Sequence, residues 1–352
     1  MSDLAQFLPW QRDFAANWLS QRERFAHAWL IHGLPGIGKR QFALAAAGSL
    51  LCESPNHGLA CGHCAACLWL ISGNHPDLRR IRPDALALEE GAAGAGADEE
   101  TAAGSAPAKK APSKDIRVDQ LRALGSWFNT ATHRGGWRVA VLYPARAMNA
   151  ITANALLKVL EEPPAHTVFL MVADAPDRLL PTLVSRCRRL PLPVPDTAQS
   201  LAWLNEQGVE RAELWLAAAG GAPLLAQQLA LTGTNPCPEW LEKLVCVLAD
   251  AGAPDIGPLA DQLEKQPPEA WIDALQRLFL DLLLAGAGAP VRYFPALSKP
   301  IHQVALKASN ANLAETGKWL TRQRSIAGHP LNAKLFVHSA LQRVVLACSP
   351  AS

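Results

Sequence analysis

The sequence has almost no excess charge of either sign. Its 33 Lys and Arg stand against 31 Asp and Glu, a formal net charge of +2. A balance that small gives no argument for nucleic acid or a membrane surface as a direct partner. The opening stretch MSDLAQFLPWQRDF lacks a basic run followed by an apolar core, so no secretory signal is expected. An unbroken membrane span is missing too. Residues 214–238 are uncharged, but Gly220-Gly221-Ala222-Pro223 interrupts them, and Gln227, Gln228, Thr232, Thr234 and Asn235 would be costly in hydrocarbon. These absences imply a cytoplasmic chain with no membrane contact.

What is present is the composition of a globular protein, 49% hydrophobic and 18% charged, on a chain of 352 residues that has room for two or three cores. Four of the eight cysteines crowd into residues 52–67 with the spacing C-x8-C-x2-C-x2-C. Without a secretion signal, metal binding is the better reading of that cluster than disulfides. Thiolates of Cys52, Cys61, Cys64 and Cys67 can surround one zinc ion tetrahedrally, although C-x2-C-x2-C also resembles iron–sulfur spacing. His57 and His63 stand nearby and are expected to face solvent.

The stretch GLPGIGKR, residues 33–40, fits a phosphate-binding loop at seven of eight positions. It follows an apolar run at 28–32 and precedes a helical pattern at 40–51, and strand, glycine turn, helix is the context such a loop needs. Gly33, Gly36, Gly38 and Lys39 supply the cradle: backbone N–H groups and a helix N-terminus for phosphate, and a cation for its charge. Arg40 stands where a Ser or Thr hydroxyl should ligate magnesium. The strand expected at 138–143 ends in Tyr143-Pro144, where an ATPase carries an acid for the metal and a general base. With hydroxyl, acid and base all absent, no intrinsic ATP hydrolysis is expected.

Helical patterns at 10–24, 118–130 and 150–160 alternate with strands at 28–32, 138–143 and 167–173. A short last strand is expected in LPLPVP, residues 190–195. This alternation predicts a doubly wound α/β domain. Residues 85–114 are half Ala or Gly with no aromatic residue, and are expected to form a disordered surface insertion. After residue 195 the strand signal fades. Helices are expected at 197–208, 211–220 and 224–231, then from 238 onward. The last, at 333–347, carries an apolar stripe of Leu335, Leu341, Val344, Val345 and Leu346.

The run NALLKVLEEPP at 154–164, the later Ser185-Arg186-Cys187 and the cysteine cluster behind the loop together resemble the bacterial DNA polymerase III clamp-loader family. The resemblance covers residues 1–190 and extends to the remainder by layout. It implies an AAA+ RecA-like P-loop domain with a zinc knuckle over 1–190, a small helical lid over 191–235 and an all-α collar over 236–352. Degraded nucleotide motifs beside an intact Ser-Arg-Cys are similar to the family's delta-prime group rather than to its gamma/tau motors. The family comparison favours structural zinc over a cluster. It makes Arg186 an arginine finger acting in trans on a neighbour's ATP, against the plainer reading of an arginine capping a helix C-terminus. It also places Leu224 where a nucleotide-sensing arginine normally stands. The implied assembly is a heteropentamer with gamma/tau and delta subunits that loads a sliding clamp on primer–template DNA. It belongs to a nucleotidyltransferase holoenzyme, though this chain has no polymerase residues. Two alternatives compete: an active ATPase motor using Lys39, and a zinc-bearing nucleic-acid-binding module.

Overall fold

Five parallel strands form one sheet in the order β2-β3-β4-β1-β5. They are β1 (Ala28–His32), β2 (Leu78–Ile81), β3 (Arg138–Leu142), β4 (Thr167–Ala173) and β5 (Arg188–Pro191). This computed structural model describes residues 4–91, 111–133, 135–233, 235–250, 254–327 and 332–349. Every position of β3 and β4 is buried, as parallel strands covered on both faces by helices require. β1 lies between β4 and β5, pairing Ala28 with Phe169 and Trp29 with Arg188. Strand order therefore reverses beside β1, and a crevice at the carboxyl ends of the strands is the usual ligand position in such sheets. The glycine loop leaves β1 at that end and enters the helix Lys39–Leu51, which is buried at nearly every position.

Three departures from the expected elements have physical causes. β2 is an added edge strand, LRRI, whose charged centre hides it from any hydrophobic count. The last strand sits two residues earlier than expected, at Arg188–Pro191, because prolines 193 and 195 have no N–H to offer a ladder. The helical pattern at 10–24 resolves into a 3-10 turn Pro9–Gln11, the helix Arg12–Leu19 and a second 3-10 turn Arg22–Arg24.

Most of the insertion expected over 85–114, residues 92–110, lies outside the described residues. Its root is ordered: a helix covers Asp84–Glu89, and Ala85 N–H donates to Ser113 C=O at 3.0 Å, tying the two ends together.

The chain divides into two compact units between Gln199 and Ser200. The second is helical throughout its described residues and holds two apolar clusters. One is built on Leu204, Trp215, Leu216 and Ala226; the other runs from Cys237 to Cys348 around Trp271, Phe279 and Leu341. Arg277 joins them by donating to Ala218 C=O at 2.8 Å. The stripe expected on the last helix, Ala333–Cys348, is split. Leu341 and Val344 are buried, while Leu335 and Leu346 are 68% and 72% exposed. Residues 335 and 346 are eleven apart, three helical turns, and so share a face roughly opposite Val344.

Asp281 in the helix Pro268–Gly286 is fully buried and accepts N–H groups of Arg292, Tyr293 and Phe294 at 2.8–3.0 Å. One carboxylate thus fixes the chain reversal leading into Phe294. Asp281→Ala is expected to cost about 3 kcal/mol or more, because it strands three N–H groups without partners. Asp281→Asn should cost less, since one acceptor oxygen remains. Urea denaturation of both variants, followed by tryptophan fluorescence, checks the order.

Candidate functional site

The loop needs its glycines. Gly33, Gly36 and Gly38 have φ of +145°, +78° and +88°, and a Cβ on Gly33 would approach Leu192 O to 3.0 Å. From the N-terminal side, Gln11 Nε2 donates to Ile37 O and Gly38 O at 3.0 Å, and Trp10 Nε1 donates to Ile37 O at 3.1 Å. These two side chains pin the loop, and neither is visible as a functional residue in the sequence.

Lys39 opens the helix and is only 5% exposed. Its Nζ donates to Gly33 O at 2.9 Å and to Leu34 O, and lies 2.7 Å from Oδ1 of Asp174, the residue after β4. Arg40 points elsewhere. Its Nη1 pairs with Glu90 Oε1 at 3.1 Å. The other oxygen of Glu90 accepts the Tyr143 hydroxyl at 2.9 Å, and Arg82 Nε lies 2.8 Å from it, an ion contact without an aligned N–H. Tyr143 is 1% exposed, and burial pushes its phenol above the ordinary range. The residues standing at the hydroxyl and acid positions, Arg40 and Tyr143, therefore meet on one carboxylate. Sequence reasoning placed both but missed their partner, Glu90, and the partner of Lys39, Asp174.

Arg186 follows the short helix Pro181–Ser185. Its Nη1 donates to Thr182 O at 2.9 Å and its Nη2 meets Glu161 Oε1 at 2.5 Å. The neighbouring Ser185 Oγ also donates to Thr182 O, and Cys187 Sγ to Leu183 O, both at 3.0 Å. All three residues of the motif thus satisfy the helix's last carbonyls, which a helix end otherwise leaves open. Cys187 is buried, and burial pushes its thiol up to about 12. Ser185 and Arg186 both reach the surface, the Arg186 side chain 36% exposed against 50% for Glu161.

The four cysteines of the cluster converge. Their sulfurs all lie within 4.8 Å of one another, with Cys52–Cys64 at 3.8 Å and Cys61–Cys67 at 4.0 Å. A tetrahedral zinc with Zn–S of ~2.3 Å needs sulfurs about 3.8 Å apart. Backbone N–H groups point at three of them: Cys61 N to Cys52 Sγ at 3.3 Å, Cys64 N to Cys61 Sγ at 3.4 Å, and Cys67 N to Cys64 Sγ at 3.5 Å. Such donors favour thiolate. The N–H of His63 leads the effects that bring Cys61 down to about 6, while burial pushes Cys52 and Cys67 up. His57 and His63 are exposed, and His63 Nδ1 contacts Cys61 O at 2.9 Å. The cluster is a site that can hold one metal ion.

Residues 14–196, just over half of the chain, match the family described as "DNA polymerase III, delta subunit". The DNA polymerase III subunit delta' of Pseudomonas aeruginosa is 40% identical over 230 residues, 64% of this chain and 62% of that protein. The subunit delta' of Escherichia coli is 34% identical over 223 residues, 62% of this chain and 59% of that protein. The match thus spans less than two thirds of these relatives. DNA polymerase III subunit tau of Salmonella typhimurium is 30% identical over 176 residues, half of this chain and 23% of that protein. Among solved structures, a gamma subunit-related protein of Thermotoga maritima is 15% identical, with a TM-score of 0.44 over 95% of this chain and 99% of that one. That score is too low to carry the fold, which rests on the strand order and the loop. The chain belongs to the DNA polymerase III delta-subunit family, and the Pseudomonas and Escherichia relatives it resembles are delta-prime subunits.

Proposed function

We propose that this chain is a catalytically silent delta-prime-type subunit of a DNA polymerase III clamp loader. In this reading it acts as a stator. It joins gamma/tau and delta subunits in a ring, completes one neighbour's ATPase site with Arg186, and so helps load a sliding clamp on primed DNA. Residues 191–235 would serve as lid and 236–352 as collar. The observation that carries the silence is the pairing of Lys39 with Asp174 and of Arg40 with Glu90, which turns the loop's cations toward the protein's own carboxylates. No acid stands at Tyr143 or Pro144 to hold magnesium or activate water.

The purified chain is accordingly expected to hydrolyse no ATP. Arg40→Thr alone should not rescue it, because the strand-end acids stay missing. In a reconstituted complex, Lys39→Ala should leave clamp loading within about twofold of wild type, since no transition-state charge depends on it. Turnover by the pure chain that disappears in Lys39→Ala would overturn the reading. The motor reading has one support, the 30% identity to tau, and that same assay decides against or for it.

Zinc is the ion proposed for the cysteine site. A single zinc would be held by all four sulfurs, which suits the spacings of 3.8 Å and 4.0 Å between Cys52 and Cys64 and between Cys61 and Cys67. An iron–sulfur cluster, whose cysteines ligate different irons, would hold them farther apart. With every ligand supplied by protein, the ion's role is to brace the residues around Cys52–Cys67 rather than to meet substrate.

A further inference from the structure

We infer that the phosphate cradle of this chain is a latent polyphosphate site held closed by two of its own carboxylates, Asp174 and Glu90. The inference rests on the silent-subunit reading and says what enforces the silence. Loss of the magnesium ligands explains why hydrolysis fails, but it does not by itself stop phosphate from binding. The parts that bind phosphate are still here. The loop keeps its left-handed glycines, the helix Lys39–Leu51 starts at its end, and Lys39 sits at the first helical position.

The cations, however, point at the chain's own acids. Lys39 Nζ is 2.7 Å from Asp174, and Arg40 and Arg82 converge on Glu90 at 3.1 Å and 2.8 Å. A carboxylate presents the same pair of anionic oxygens that a phosphate would, so each acid satisfies the cation the ligand needs. The Tyr143 hydroxyl completes the second site by donating to Glu90 at 2.9 Å. Three cations thus face two carboxylates. An incoming polyphosphate must displace Asp174 and then remain beside it. At about 5 Å and an effective dielectric near 20, one such like-charge pair weakens binding on the order of a hundredfold before screening. Asp174 is 45% exposed, so its share is nearer tenfold.

Asp174→Asn and Glu90→Gln remove the charges and keep the shapes. The test is calorimetric titration of the full chain with inorganic triphosphate, without magnesium and at low salt; this probe needs no room for a base. Asp174→Asn should bind at least severalfold more tightly than wild type, and the double variant at least tenfold more tightly. Adding Lys39→Ala should abolish the gain. Unchanged affinity in a double variant with a native circular dichroism spectrum overturns the inference, and so does a gain that survives Lys39→Ala. If the partly buried Glu90→Gln loosens the fold, the exposed Asp174→Asn decides alone, and no gain there is equally fatal. ATP hydrolysis by the wild-type chain would instead sink the silent-subunit reading, which keeps the two failures distinct.

Discussion

If Arg186 is the proposed finger, replacing it with alanine is expected to cut stimulated ATP hydrolysis at the adjoining motor site of a reconstituted clamp loader by a hundredfold or more while the complex still assembles. The size comes from what a finger does: its guanidinium meets charge that spreads over the transferring phosphoryl group, and such fingers are worth roughly 10³–10⁵ in rate. The structure makes the folded state insensitive to the change. Arg186 contributes one carbonyl contact and one ion pair with Glu161, both at the surface, and exposed pairs of this kind are worth about 1 kcal/mol or less. The helix end keeps Ser185 and Cys187 on its carbonyls when the arginine is gone.

The Glu161 contact also has a consequence. To reach a neighbour's phosphate the guanidinium must leave that carboxylate or share it, and a half-exposed pair makes either inexpensive. Arg186→Lys should restore only part of the rate, because an ammonium cannot reproduce the planar fork. The measurement is single-turnover ATP hydrolysis in complexes reconstituted with each variant, with clamp and primed DNA present. Full-rate Arg186→Ala complexes beside failing Lys39→Ala complexes would show that the two roles have been assigned backwards.

The parts legible in the sequence are those whose signal is local. β1 and β4 are unbroken apolar runs because both their faces are covered, and their bounds follow from the run itself. The loop and the cysteine cluster are short motifs whose spacing carries the geometry. β2 is illegible for the opposite reason. As an edge strand it pairs only with β3, so Arg79 and Arg80 can occupy its centre. Arg188 and Arg189 disguise β5 in the same way, although Leu190 is buried. The closing of the cradle is not written locally at all. Asp174 directly follows β4, far along the chain from Lys39, and Glu90 lies within an Ala- and Gly-rich segment whose average composition hides one decisive acid. Arg40 reads in isolation as an intruder in a metal site, and only its partner shows why it is tolerated.

Purified protein is expected to carry one zinc per chain, and its removal should unfold the knuckle while sparing the sheet. Besides the cysteines, the knuckle is held by the Ala60 N–H on Ser49 Oγ and by Trp69 against His75 and His133. Its helix Ala65–Ile71 is seven residues long, too short to persist by itself in water, and it is capped by Cys64, whose sulfur accepts the Cys67 N–H. A structural zinc supplies on the order of 10 kcal/mol to small sites of this kind. Cys64→Ser removes one sulfur while leaving a hydroxyl that can still accept the Cys67 N–H as a helix cap, so metal content should fall severalfold through the lost sulfur alone. Proteolysis should then concentrate within residues 52–71. The helix Lys39–Leu51 should stay folded, since Phe42, Ala43 and Ala46 are buried in the first unit without help from the cysteines. The second compact unit should be unaffected. Acid should mimic the mutation, because zinc-binding cysteines must be thiolates: zinc should be held near neutral pH and released as pH falls and protons compete for sulfur. Elemental analysis and limited proteolysis, each before and after chelation, read both effects. Iron with visible absorbance would replace zinc by a cluster, and a metal-free protein with an intact, protease-resistant knuckle would remove the metal from the account altogether.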